Sequence, residues 1–223
     1  QDELKDYFVF TTDPEKSDLL ELGKELSIST LTIPPNVGGR FSVLTPVGLF
    51  PALFAGIKVE ELLRGAEGAK SRLLNPKLEE NALLQTACYL ESLRRGRGIN
   101  QTVCMPYSSK LRELSFWFTQ LWAESLGKAK DLEGNTQHRG LTPIPAYGAT
   151  DQHSQVQLFM EGPEDKCILA IELEEFEHDF SLASPYTTKA AEKLGNFRLG
   201  KLFKAEMQGT IKALKENDRP YIH

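Results

Sequence analysis

The stretch Ile99-Asn100-Gln101-Thr102-Val103-Cys104-Met105 is mostly apolar and short, and Pro106-Tyr107-Ser108-Ser109 follows it. A helical pattern then runs over Ser109–Leu126 and stops at Gly127. A short apolar run feeding a helix is the pattern of a strand buried on both faces of a parallel sheet. The same unit recurs downstream. Leu141–Ala146 reads as a strand and Asp151–Glu161 as a helix ended by Gly162. Cys167–Leu173 is a further strand, and Leu199–Lys215 is a late amphipathic helix. Upstream, Tyr7–Thr11 and Ile28–Ile33 read as strands. Three helices accompany them: Pro14–Leu26 with Asp13 as its cap, Pro46–Gly56 behind Thr45, and Pro76–Arg95 behind Asn75. Strands alternating with helices predict an α/β fold, a doubly wound parallel sheet.

The composition around Gly56–Asn75 shifts toward a helical connection. The chain therefore divides into an incomplete first lobe (1–56), a helical connection (57–98) and a fuller second lobe (99–223). Ligands in such sheets sit at the carboxyl ends of the strands. That directs attention to the loops Pro34–Arg40, Pro106–Lys110 and Tyr147–His153.

The 223 residues are 40% hydrophobic and 26% charged, a globular balance rather than a disordered one. The net charge is −5, without a basic block, which argues against nucleic acid as the main partner. Three scattered cysteines (Cys88, Cys104 and Cys167) make neither a disulfide framework nor a metal knuckle, and suit a reducing cytoplasm. All three are expected to be small buried apolar residues. No apolar run reaches the roughly 20 residues that span a bilayer, and the start has no signal-peptide pattern. Gln1 is not an initiator, and Arg219-Pro220-Tyr221-Ile222-His223 reads as the beginning of a strand. The expectation is a fragment of a longer protein.

Three segments carry candidate chemistry. In Val37-Gly38-Gly39-Arg40-Phe41-Ser42 the paired glycines allow close backbone approach, and Arg40 can offer a planar fork of donors to an oxyanion. A tight turn with a surface arginine fits the spacing as well. In the helix through Trp122, Gln120 and Glu124 are four apart and share a face. Leu111, Leu114, Phe118, Leu121 and Trp122 mark the anchoring face. Partial burial of Glu124 beside Trp122, at the negative end of the helix dipole, would suit a general base. A solvated surface carboxylate is the alternative. In Gly148-Ala149-Thr150-Asp151-Gln152-His153-Ser154, His153 falls in the first helical turn after a strand, a position for proton transfer. It can equally be a structural histidine beside a capping Thr150 or Asp151.

Other features carry less. The run Glu172, Glu174, Glu175, Glu177 and Asp179 with His178 is adjacent rather than convergent, and reads as a solvated loop rather than a metal site. His138 lies in a polar loop. Ser108-Ser109 can bind phosphate at a helix start or simply cap it.

Taken together, Val37 to Leu49, Gln120 to Lys128 and Thr150 to Ser154 resemble, in order, the Gly-Gly-Arg signature, the Glu-Ser-x-Gly-Lys helix and the histidine segment of the glucose-6-phosphate isomerase (phosphoglucose isomerase) family. The resemblance runs along essentially the whole chain. It implies paired sugar-isomerase (SIS) lobes, each a three-layer αβα sandwich. It implies interconversion of glucose 6-phosphate and fructose 6-phosphate through an enediolate, in glycolysis and gluconeogenesis, with no cofactor and no metal. By the resemblance Glu124 is the base, Arg40 stabilises the enediolate, and His153 assists ring opening in a site formed mainly by the neighbouring subunit. Gln120 lines the sugar-phosphate site and Gly39 admits the substrate. A homodimer, a phosphosugar ligand, a cytoplasmic location and no membrane or nucleic-acid partner follow.

The family's Ser/Thr-rich phosphate loop and its C-terminal lysine find no match here; Thr11-Thr12-Asp13 and Lys201 do not replace them. The isolated chain is therefore expected to show little turnover. A noncatalytic SIS module that binds a phosphosugar and regulates a partner is the competing class, and an extracellular signalling role is a third without a supporting sequence feature.

Overall fold

The computed structural model describes residues 3–181, 188–194 and 197–223. It forms two compact units, Gln1–Leu84 and Gln85–His223, and the division falls in the first turn of a helix.

The first unit contains one parallel strand pair. β1 (Val9–Thr12) and β2 (Ser29–Thr32) pair in register from Val9↔Ser29 to Thr12↔Thr32, and α1 (Asp18–Glu25) crosses between them. The helix begins later than its sequence suggests, because Asp13 is already engaged. Its Oδ1 accepts from the amides of Glu15 (2.8 Å) and Lys16 (2.9 Å), closing a turn around Pro14. These bonds hold the Asp13 carboxyl below its ordinary pKa. Ser17 is the cap instead, accepting from Leu19 N–H. After β2 comes a 3-10 turn, Gly39–Leu44, then α2 (Pro46–Phe54) and α3 (Val59–Leu73). Thr45 caps α2 through Val47 N–H, as its position predicts. Gly48 is a required glycine: a Cβ there would lie 2.2 Å from the Val43 carbonyl oxygen. The helix expected behind Asn75 starts later, as α4 (Ala82–Arg97), after a short 3-10 turn. Buried Asn81 holds that start. Its Oδ1 accepts from Leu84 N–H at 3.1 Å, and its Nδ2 donates to the Leu73 and Asn75 carbonyls.

The second unit is a doubly wound α/β sandwich. β3 (Gln101–Pro106), β6 (Thr142–Pro145), β7 (Lys166–Ile171) and β8 (Tyr221–Ile222) form one sheet in the order β6-β3-β7-β8, every pair parallel. α5 (Arg112–Leu126), α6 (Thr150–Glu161) and α8 (Leu199–Glu216) are the crossovers, and the short α7 (Lys189–Leu194) precedes α8. The period-two alternation of β3 and β7 sends side chains to two cores. On one face Val103, Met105, Ile168 and Ala170 meet Phe159 of α6 and Met207, Ile211 and Leu214 of α8. On the other face Ile99 and Cys167 meet Leu90 and Leu93 of α4, with Trp122 of α5 alongside.

Between α5 and β6 the sequence predicts only a polar loop, but the chain forms an antiparallel hairpin there. β4 (Lys128–Lys130) and β5 (Thr136–Arg139) are wholly exposed and so leave no alternating apolar signature. Asp131 Oδ1 organises the turn through the amides of Glu133 and Asn135, and Gly134 supplies a positive φ. His138 thus lies on a strand rather than in a loop. Cys104 and Cys167 are buried as expected. Cys88 is exposed, because it lies on the side of α4 opposite Leu90.

Candidate active site

The Gly-Gly-Arg segment of the first unit is a rigid turn at the carboxyl end of β2. Phe41 N–H donates to the Gly38 carbonyl, Ser42 Oγ to the Gly39 carbonyl (2.6 Å), and Thr45 Oγ1 to the Ser42 carbonyl (2.7 Å). These hydroxyl-to-carbonyl bonds run directly into the capped start of α2. Arg40 is half-buried, and its guanidinium carbon lies 4.7 Å from the centroid of the Phe41 ring. A Cβ on Gly39 would meet no atom within 4 Å, so an open space fronts the backbone there.

Gln120 and Glu124 come together as their spacing predicts. Gln120 Nε2 donates to Glu124 Oε1 at 3.1 Å. Both side chains are exposed, so Glu124 is not partly buried by Trp122. Residues two apart on a helix do not share a face. Trp122 turns inward, stacked on Phe118 at 4.8 Å, while Glu124 turns to solvent.

His153 is exposed in the first turn of α6, and its neighbours fix that turn. Asp151 accepts from Tyr147 N–H at 2.8 Å and from Ser154 Oγ at 2.9 Å. Gln152 Nε2 donates to Thr210 Oγ1 at 2.7 Å, tying α6 to α8. No side chain makes the expected cap at the helix start, where Ala149 is the capping residue. The role of Asp151, holding the strand-to-helix turn from inside it, was hidden by its resemblance to an ordinary cap.

The fold separates two of the candidates. Residues from the start of α5, Arg112, Ser115 and Phe116, line a cleft of about 330 Å³ with Pro145, Tyr147 and Thr150 at the carboxyl end of β6. Residues from its end, Trp122 and Leu126, meet Arg139, Gly140 and Leu141 at the amino end of β6. From Phe116 to Glu124 the helix rises about 12 Å. Within one chain Glu124 therefore lies toward the amino end of β6 and His153 past its carboxyl end. The rule of carboxyl-end loops locates Arg40 and His153 but not Glu124.

No group of His, Cys, Asp or Glu side chains suited to a metal ion occurs among the described residues. The carboxylates after β7 are mostly engaged one by one. Glu172 meets His223 (2.9 Å) and Lys204, Glu177 pairs with Lys110, and Asp179 meets Arg198 and the Gly200 amide. No helix is long and apolar enough to cross a membrane, among the described residues.

The phosphoglucose isomerase family model matches residues 5–175. The chain is 44% identical over 217 residues to the glucose-6-phosphate isomerase of Carboxydothermus hydrogenoformans, covering 96% of this chain and 46% of the relative. It is 43% identical to that of Rubrobacter xylanophilus, covering 95% and 47%. A solved hypothetical protein from Thermus thermophilus superposes with a TM-score of 0.90 at 40% identity, covering 99% of this chain and 51% of that one. The chain thus spans about half the length of the curated relatives it matches. It belongs to the phosphoglucose isomerase family.

Proposed function

We propose that this chain contributes the proton-transfer machinery of a glucose-6-phosphate isomerase, acting in the cytoplasm in glycolysis and gluconeogenesis. The observation that carries the reading is the pair of Gln120 and Glu124, hydrogen-bonded to each other and open to solvent on the last turns of α5, in a chain of this family. Glu124 takes the proton from C2 of the open-chain aldose. The C–H electrons form the C1–C2 double bond, and charge collects on the C1 oxygen. Arg40 meets that charge with a cation already held by its turn. A proton then passes from the C2 hydroxyl to the C1 oxygen, and Glu124 returns its proton to C1 as the C2–O electrons form the carbonyl, giving the ketose. Gln120 orients the carboxylate, the open space before Gly39 admits the sugar, and His153 assists ring opening.

The opposite placement of Glu124 and His153 supports a homodimer in which the histidine of one copy serves the glutamate of the other. Replacing Glu124 with Gln in the intact protein should lower kcat by at least about 10³-fold, within the range of general-base effects, and largely spare phosphosugar binding. Mixing Glu124→Gln with His153→Ala protein should restore activity, because the mixed dimer rebuilds one complete site. Retained turnover in Glu124→Gln would sink the assignment of the base. Absence of rescue on mixing would sink the shared site. The exposure of Glu124 in this chain by itself favours a second reading for the piece alone, a noncatalytic phosphosugar-binding module. Little or no isomerisation by the 223-residue chain, with ligand binding retained, is the outcome that reading expects.

A further inference from the structure

The sheet order β6-β3-β7-β8 contains a switch point. The crossover leaving β3 runs to one side, to β6, and the crossover leaving β7 runs to the other, to β8. In open α/β sheets the crevice between two such strands, outside their carboxyl ends, is where ligands bind. A cavity of about 580 Å³ lies there, between the turn after β3 (Ser108 to Leu111) and the segment after β7 (Leu173 to Asp179). The volume is in the range of small-molecule sites. It lies at the carboxyl ends of the strands whereas Glu124 lies toward the amino end of β6, and nothing in the proposed proton transfer uses it.

The lining is built. Phe176 and Phe203 meet edge to face at 6.1 Å, and Phe203 is itself set edge-on to buried Tyr107. Phe176 and Asp179 pack onto the backbone of Gly200, where a Cβ would lie 2.7 Å from the Phe176 ring. Asp179 Oδ1 accepts from the Gly200 amide, which fixes that wall to the start of α8. Ser108 is 5% exposed and lines the cavity, and its hydroxyl makes no capping hydrogen bond to the turn it precedes.

Charge decides the class of ligand. Among the lining residues Lys110 faces three carboxylates, Glu175, Glu177 and Asp179. Lys110 is paired with Glu177, and Arg198, beside the cavity, holds Asp179 at 3.2 Å. Of the other nearby cations, Lys204 reaches Glu172 and the Glu174 carbonyl, and Lys201 lies over the Phe197 ring. Among the described residues Glu175 is thus the lining carboxylate left to the ligand. The serine turn invites a phosphate reading, but a rim of this sign opposes an anion. We propose that the crevice is a second small-molecule site that takes an organic cation, an amine carried on an apolar body. The ammonium sits at Glu175, beside the Lys110–Glu177 pair, and the body lies against Phe176 and Phe203.

The test is titration of the purified protein with three probes of one shape and different charge: 2-phenylethylamine, 2-phenylethanol and phenylacetate, followed by calorimetry and by the methyl resonances of Leu111, Leu173 and Leu199. The amine should bind tightest, the alcohol more weakly, and the anion not at all. Replacing Glu175 with Gln, on the exposed rim, should weaken the amine about three-fold, as one partly screened charge would, and leave the alcohol unchanged. Three results would each overturn the proposal. One is phenylacetate or inorganic phosphate shifting those methyls as strongly as the amine. Another is amine affinity unaltered in Glu175→Gln. The last is no binding of any probe at millimolar concentration.

Discussion

β1, α1 and β2 are built on the same crossover plan as β3, α5 and β6, yet the two units differ in what they bury. In the second unit β3 and β7 are enclosed almost throughout, and Met207 is 0% exposed between α8 and the sheet. In the first unit Ile28 alone among the described hydrophobic side chains of residues 3–84 is buried, while Tyr7 (79%) and Phe54 (88%) are open. α2, Pro-Val-Gly-Leu-Phe-Pro-Ala-Leu-Phe, is apolar all round and buries none of its residues. A helix of that composition is ordinarily interior, and a two-stranded sheet with open faces is marginal alone. Local pattern is therefore sufficient to form an element but not to cover it. The Gly-Gly-Arg turn, which holds Arg40, is set in the poorly covered unit, and its rigidity comes from short hydroxyl-to-carbonyl bonds rather than from a core.

The largest expected consequence is in amide exchange. β3 and β7 should exchange only with unfolding of their unit, and β1 and β2 through local opening, so protection should differ by about 10³-fold or more. Equal protection would break the contrast. Next, Met207→Ala should destabilise by about 3 kcal/mol, the cost of a cavity in a packed core, whereas Phe54→Ser should change the stability by less than about 0.5 kcal/mol. Denaturant unfolding of each variant measures both.

The buried thiols give a smaller, pH-dependent difference. Burial pushes Cys104 up to about 11 and Cys167 up to about 12. In the unfolded chain both ionise near their ordinary value of about 8.5, so the native protein keeps protons that the unfolded chain loses. Their contribution is complete below that value and is lost as pH rises through 11 and 12. Stability should fall by about 2 kcal/mol for each thiol between pH 8 and pH 10.5. At pH 8 a thiol reagent should label exposed Cys88 and spare the other two until unfolding.

Smallest is Glu91 on α4. Hydrogen bonds from Arg94 and then Arg95 lower its carboxyl to about 2. That support exists above the ordinary carboxylate pKa and fades as pH falls through about 2. The group is largely exposed and screened, so Glu91→Gln should cost only about 0.5 kcal/mol at pH 7. Thermal melts at pH 7 and pH 3 check the size and the sign.

Much of the architecture was legible from residues near one another in the chain. Continuous apolar runs marked β3, β6 and β7, Gly127 and Gly162 ended α5 and α6, and Thr45 with Pro46 opened α2. The start of α1 was misread because Asp13 and Ser17 are both competent caps, and the tight turn around Pro14 takes Asp13. The β4–β5 hairpin was missed because none of its residues is buried, so periodicity had nothing to report. In the site, Gln120 with Glu124 and Gly39 with Arg40 were legible because each pair is local. The exposure of Glu124 was not, since it depends on which way Trp122 turns to reach the core.

The sequence by itself determined the class of fold, the order of the elements that form its main sheet and crossovers, the family, and the residue types at the candidate site. Each of these rests on short-range spacing and backbone preference, which act within a few residues. Only the tertiary structure decided that Glu124 and His153 lie toward opposite ends of β6, and that a crevice with an acidic rim opens between β3 and β7. It also decided that one unit buries its apolar residues while the other leaves them open. Those facts depend on how distant segments cross and stack, and no local pattern encodes which face of an element will meet another.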